Sequence, residues 1–341
     1  MSTEDFYDAA PDTVNMRTVG TDPDDLDGFY DVAEAEPKYG LKRGRYVYPD
    51  PPGYVRPKGS GGFMRMTNLA AAFSDQIRLQ HWRERMFILG LRTEEGETLY
   101  DELMAADLDA MQPNDAKAWL EAMADRIADA GGAGHGARRG TARHLMLQTV
   151  METGVLQGTR RMRLQYESLQ EALERHHLEV IPGWSERRVC NPLVGTMGTL
   201  DLGVMCQRTG QLGILDLKTA RRFWTYQEVA GQQWGYDSAS WVWEGPADDT
   251  GRWETPPAWN LTGAAGGDFE GRRVALLAHM PQAPGPDQLP VQIVEVALDY
   301  GQEVMEHALK IVQLRSRKTS VAAGRRVGAV RPTPRTIEIG A

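Results

Sequence analysis

Cysteine is scarce: two residues in 341, Cys190 and Cys206, with no CxxC pair. That excludes a disulfide framework, a four-cysteine zinc site and an iron–sulfur cluster, and leaves both thiols as small core residues. No run of about 18 apolar residues occurs, so no membrane span is predicted. The opening MSTEDFYDAA is acidic where a signal peptide is basic and then apolar, so the expected location is the cytoplasm. Neither an internal repeat nor a GxxxxGKS/T phosphate loop is present, which removes ATP from the expected cofactors.

A net charge of −9 argues against nucleic acid as a partner only if it is evenly spread. Residues 1–36 carry eleven Asp/Glu against one Arg, a local −10 that leaves +1 for the rest of the chain. From Lys310 onward eight Lys/Arg face a single acid, Glu338. The acidic segment reads either as disordered or as a mimic of nucleic-acid charge. Residues 37–62 mix Pro and Gly with Lys38, Lys42, Arg43, Arg45, Arg56 and Lys58, and with Tyr39, Tyr46, Tyr48 and Tyr54. Such an arm either stacks bases or packs its tyrosines on its own domain or a neighbouring subunit; packing is the preferred reading.

With 41% hydrophobic residues the chain can build a sizeable core, as one large or two modest domains. Helical spacing predicts helices over 67–91, 97–108 and 114–130, the last two capped at Thr98 or nearby and at Asn114. Two more follow over 137–154 and 159–178. The period then shifts towards two, giving strands near 185–190, 199–206 and 211–218. A helix over about 225–243, a polar loop, strands over 272–280 and 291–299 and a last helix over about 301–317 complete the chain. The expected class is α/β or α+β with a mixed sheet.

The stretch GILDLKT, 213–219, places Asp216 and Lys218 in an apolar run, where each charge must leave water at a large cost. A hairpin loop centred between Arg208 and Thr209 sets Cys206 opposite Gln211, and hence Asp201 opposite Asp216 and Thr199 opposite Lys218. Directly opposed Cβ atoms lie roughly 4.5–5.5 Å apart. Two carboxylates that close repel unless a proton or cation sits between them. A divalent ion with oxygen ligands, Mg²⁺ or Mn²⁺, removes the difficulty and can act on a phosphodiester, with the lysine orienting water or neutralising charge. The other face, Leu200, Leu202, Val204, Leu215 and Leu217, is apolar and should pack on a helix, which pins the register.

Further short patterns stand in order along the chain: Gly140-Thr141-Ala142-Arg143-His144 on a helix, Glu186-Arg187-Arg188-Val189 and Gly198-Thr199-Leu200-Asp201 on strands, Asp216-Leu217-Lys218-Thr219, and Gln232-Gln233-Trp234-Gly235-Tyr236 on a helix. In this order they resemble the motifs of the RecB-type branch of the PD-(D/E)XK nucleases. That branch includes the CRISPR-associated RecB-like exonucleases, and the likeness extends to actinobacterial phage exonucleases over about residues 138–318.

The resemblance implies a restriction-endonuclease-like core, a mixed sheet flanked by helices, over 138–318. An acidic tail and arm (1–62), a helical cap region (63–137) and a basic tail (319–341) lie around it. By the same resemblance His144, Asp201, Asp216 and the Leu217 backbone carbonyl would ligate one or two Mg²⁺ or Mn²⁺ ions, and Lys218 would position or activate water. Glu186, Gln232 and Tyr236 would support the site or hold substrate. Arg315, Arg317, Lys318, Arg325 and Arg326 are the expected DNA contacts. The implied activity is a stand-alone, ATP-independent DNA exonuclease of phage recombination or replication, acting in a bacterial host's cytoplasm. A structure-specific or restriction-like endonuclease and a catalytically silent DNA-binding or assembly protein are the alternatives. Partners would be DNA and a single-strand annealing or other recombination protein, and a homo-oligomer is left open.

Overall fold

The computed structural model describes residues 41–42, 45–56, 60–73, 77–134, 140, 142, 144–147, 149–150, 160–219, 226–245, 251–280 and 291–316. The first part of the chain holds β1 (Leu41–Lys42), β2 (Arg45–Tyr46), β3 (Phe63–Arg65), α1 (Met66–Ala71), α2 (Ile77–Gly90), α3 (Glu94–Ala105), α4 (Pro113–Ala130) and α5 (Arg160–Arg175). There follow β4 (Leu178–Asn191), β5 (Thr196–Cys206), β6 (Leu212–Lys218), α6 (Tyr226–Asp237), β7 (Trp241–Glu244), β8 (Arg252–Glu254), β9 (Val274–His279), β10 (Gln292–Ala297) and α7 (Leu298–Ser316). The described residues from 140 to 150 are helical as well and carry His144.

Local chemistry moves several expected boundaries. α3 starts at Glu94, not near Thr98, because the Thr93 hydroxyl accepts the Gly96 N–H at 3.0 Å. α4 starts with Pro113, whose missing N–H suits a first helical position, rather than at a cap on Asn114. The single helix expected over 67–91 is two: α1 buries Met66, Leu69 and Ala70 against α6 and α7, whereas α2 packs on α4. The helix expected to reach 243 ends at Asp237, and the β-prone Trp241-Val242-Trp243 pairs with β4 instead. The short strands β1, β2 and β8 lie where arm and loop were expected, and β3 stands at the start of the expected helical cap region.

All ten strands among the described residues join one mixed sheet with helices on both faces. β5 is its hub. One edge of β5 pairs along its length with β4. The other edge is shared: β3 lies parallel at Thr196 and Met197, and β6 antiparallel from Leu202 to Met205. Between these two contacts the edge has no strand partner among the described residues. Beyond β6 the order continues to β9, parallel, and then β10, antiparallel.

The β5–β6 pairs are Leu202–Leu215, Gly203–Ile214, Val204–Gly213 and Met205–Leu212, the register the loop geometry predicts. Leu202, Val204, Leu215 and Leu217 pack on Met146, Leu147, Leu169 and Leu173 from the 140–150 helix and α5. Burying such a side chain is worth about 1.5–3 kcal/mol. A one-residue slip of β6 would turn Leu215 and Leu217 away from this cluster and aim the Asp216 carboxylate into it. Leu200 departs from the expectation: it belongs to the opposite cluster, with Met66, Leu69, Tyr236 and Met305. Strict alternation along β5 therefore breaks between Leu200 and Leu202, at Asp201.

In the arm, Tyr46 and Tyr48 are buried beside Trp243, and Tyr54 stacks on Phe63, which agrees with packing on the arm's own domain. Tyr39 lies outside the described residues. Both cysteines are buried and free. No helix among the described residues is long and apolar enough to cross a membrane.

α6 and α7 approach so closely that a Cβ on Gly301 would lie 2.2 Å from the Ala230 carbonyl oxygen. In an exposed helix Gly→Ala gains about 1 kcal/mol. Here Gly301→Ala is expected to lose about 1–3 kcal/mol in a urea titration, because backbone must move. A stabilised variant would show that the helix pair can part freely.

Candidate functional site

The site forms where β5 and β6 part. Ladder pairing between them stops at Leu202–Leu215, and the Asp201 carboxylate takes over: its Oδ2 accepts the Leu217 N–H at 2.7 Å. The sequence register sets Asp201 across from Asp216; the hydrogen bond instead joins Asp201 to the residue after Asp216. N–H and C=O of one strand residue point to the same edge, so the Leu217 carbonyl also faces this opening. The Lys218 carbonyl points the other way and accepts the Met280 N–H at 2.8 Å.

Asp216 is 1% exposed and reaches the opening from the α6 side. Its Oδ1 accepts from Gln232 Nε2 at 3.3 Å. Its Oδ2, buried and without a well-angled hydrogen bond, lies 2.6 Å from Lys218 Nζ. The Gln232 amide also donates to the Tyr236 hydroxyl at 2.9 Å. Tyr236 in turn packs against β5: a Cβ at Gly198 would stand 2.4 Å from its ring. That close approach explains the glycine before Asp201.

His144 and Glu186 close the cluster. His144 Nδ1 is 3.4 Å from Glu186 Oε1 and 3.7 Å from Asp201 Oδ1. The pairs Ser185–Leu202 and Arg187–Leu200 on either side set Glu186 across from Asp201. Glu186 holds φ at 53°, a left-handed conformation that costs a residue with a side chain roughly 1–2 kcal/mol. Strain of this kind tends to gather at functional positions.

Burial pushes the Asp216 carboxyl up to about 6, with the Lys218 ammonium opposing and the Asp201 charge adding. Asp201 is raised as well, by burial first, with His144 opposing and Glu186 adding. Burial disfavours the cations, yet both are strengthened. Asp201 and Glu186 keep His144 protonated up to about 9, and Asp216 and Asp201 keep Lys218 an ammonium. Burial, and then the Asp216 and Asp201 charges, raise the Tyr236 phenol well above its ordinary value, so it stays neutral.

Three carboxylates thus share one opening with two cations. Donor atoms of His144, Glu186 and Asp201 lie within 4.8 Å of one another. Hard oxygens, one imidazole and a backbone carbonyl are a donor set that fits a divalent ion such as Mg²⁺ or Mn²⁺. Glu186, expected in a catalytic or supporting role, stands among the donors.

Seven of the side chains expected from the sequence come together: His144, Glu186, Asp201, Asp216, Lys218, Gln232 and Tyr236. Arg315 is exposed in the last turn of α7, and no described hydrogen bond or ion pair ties it to them. Arg317, Lys318, Arg325 and Arg326 lie outside the described residues. One supporting pair had no motif to announce it. Arg273 Nη2 meets Asp237 Oδ2 at 2.6 Å and donates to the Trp259 carbonyl at 2.7 Å, tying the end of α6 to β9. Burial lifts the Asp237 carboxyl to about 6 despite Arg273.

No protein-family model matches the chain, and the search of curated proteins returns no match.

The raised His144 predicts a pH effect on the metal-free protein. Its contribution to stability is fully present below its ordinary value of 6.5 and is lost as pH rises through about 9. In chelator, His144→Ala should therefore lower the urea midpoint below pH 6.5, and the gap should close above pH 9. A gap that widens with pH would contradict the ion-pair geometry.

Proposed function

We propose that this chain is a divalent-metal-dependent deoxyribonuclease with a PD-(D/E)XK-like core, acting as an exonuclease. The observation that carries the reading is the convergence of His144, Glu186, Asp201, Asp216 and Lys218 on one opening between two strands, with the Leu217 carbonyl at its edge. The order β4–β5–β6–β9, antiparallel twice and then parallel, with α6 between β6 and β9, supports the core assignment. The exonuclease mode comes from the motif resemblance.

Phosphodiester hydrolysis requires a water oxygen to attack phosphorus, the P–O bond to the leaving oxygen to break, and a proton to reach that oxygen. His144, Asp201, Asp216 and the Leu217 carbonyl, with Glu186 beside them, would hold the metal. When bound, Mg²⁺ or Mn²⁺ polarises the phosphate and makes water more acidic. In the metal-free protein Asp216 and Asp201 hold Lys218 as an ammonium. Beside a bound ion that offsets their charge it would position or activate the attacking water, or meet phosphate oxygens. Gln232 fixes the Asp216 carboxylate, and Tyr236 fixes Gln232. The presence of Asp201, Asp216 and Lys218 together disfavours a silent DNA-binding protein.

With Mg²⁺ or Mn²⁺, linear duplex DNA should be degraded and closed circular DNA spared, without ATP and not in chelator. Lys218→Ala should lower the rate by about 10²–10³-fold at unchanged fold. Full activity in Lys218→Ala, or strict ATP dependence, would sink this reading. Separately, Mn²⁺ should raise the melting temperature of the wild type and not of Asp201→Asn.

Ion binding should also tighten with pH. The His144 proton leaves at about 9, so Mn²⁺ affinity in calorimetry should rise by up to about tenfold per pH unit below that value. A flat profile between 6.5 and 9 would place the ion away from His144.

A further inference from the structure

Beside the cluster, Arg188 has no counter-charge among the described residues. Arg188 lies on β4 two residues beyond Glu186, and its ladder partner Thr199 lies two residues before Asp201. β4 is paired on both edges here, with Thr199 on one side and Trp243 on the other, so the backbone is fixed. The guanidinium donates to the Thr199 hydroxyl and stands 5.8 Å from the centre of the Tyr46 ring. Both partners are neutral. Among the described residues no carboxylate pairs with Arg188, whereas Arg56, Arg187, Arg252, Arg272 and Arg273 each pair with one. Arg188 is also half-buried.

A cation partly withdrawn from water without a counter-ion is costly, and the cost is recovered when an anion arrives. Two strand residues advance about 6–7 Å, a step comparable with that between neighbouring phosphates of a nucleotide chain. A planar guanidinium is also well matched to phosphate oxygens. We infer that Arg188 binds the phosphate next to the one that reacts and so holds the DNA strand in register with the cluster. This rests on the nuclease reading. It assigns Arg188 to substrate binding, with Tyr46 and Thr199 holding the guanidinium in place.

The test compares wild type, Arg188→Gln and Arg188→Lys on a short linear duplex with Mg²⁺, and measures equilibrium binding of the same duplex in chelator across a salt series. Arg188→Gln should raise KM about tenfold with kcat changed less than about threefold. It should also flatten the salt dependence of binding by about one unit of slope. Arg188→Lys should restore the slope but not the full affinity, because it lacks the planar fork. Equal slopes in wild type and Arg188→Gln would overturn the inference. So would a lower melting temperature alone, which would assign Arg188 to packing against Thr199 and Tyr46. A wild type without cleavage in Mg²⁺ or Mn²⁺ would instead contradict the nuclease reading, and the binding slopes would still decide the role of Arg188.

Discussion

The hydrogen bond from the Leu217 N–H to Asp201 Oδ2, at 2.7 Å, stands where a backbone ladder would otherwise continue. β5 loses its partner on this edge after Met197 and regains one at Leu202. A buried amide left unpaired there would cost about 1–3 kcal/mol. By accepting that N–H, the Asp201 carboxylate lets the strands separate without an orphaned donor. It also directs the Leu217 carbonyl into the gap and brings the acid of one strand beside that of the next. Substituting Asp201 therefore removes a structural bond as well as a charge.

Charge within the gap is balanced narrowly. Glu186, Asp201 and Asp216 face His144 and Lys218, and the two aspartates are held towards protonation by burial. Such a cluster stores unfavourable desolvation that a divalent cation can relieve, at the expense of the His144 proton. The strained φ of Glu186 belongs to the same arrangement, since it sets the carboxylate that faces His144. Arg188, one pleat further along, extends positive charge away from the acids.

Much of this was legible in the sequence where period and loop length act together. The Arg208–Thr209 loop and the Leu202, Val204, Leu215 and Leu217 stripe fix the β5–β6 register without knowledge of the rest. Mixed sheet and flanking helices follow from the change of period after residue 183. Gln232 and Tyr236, four apart on one helix face, could be placed together but not on their target, which depends on where α6 crosses the sheet. The split in the β5 edge was not legible, because it arises from a two-residue contact with β3, a strand too short to show a period. Nor was the left-handed Glu186, which tertiary packing imposes on a residue that does not favour it. Trp241–Glu244 misled for a related reason: its apolar residues continue the helical pattern of α6, and pairing with β4 decides its state.

Anomalous diffraction from a crystal soaked in Mn²⁺ tests the central claim most directly. The account predicts a peak in the gap between β5 and β6, bounded by His144, Asp201, Asp216 and the Leu217 carbonyl, with Lys218 beside it and not coordinated. A gap without a peak at saturating Mn²⁺, or an ion bound only elsewhere on the chain, would contradict it.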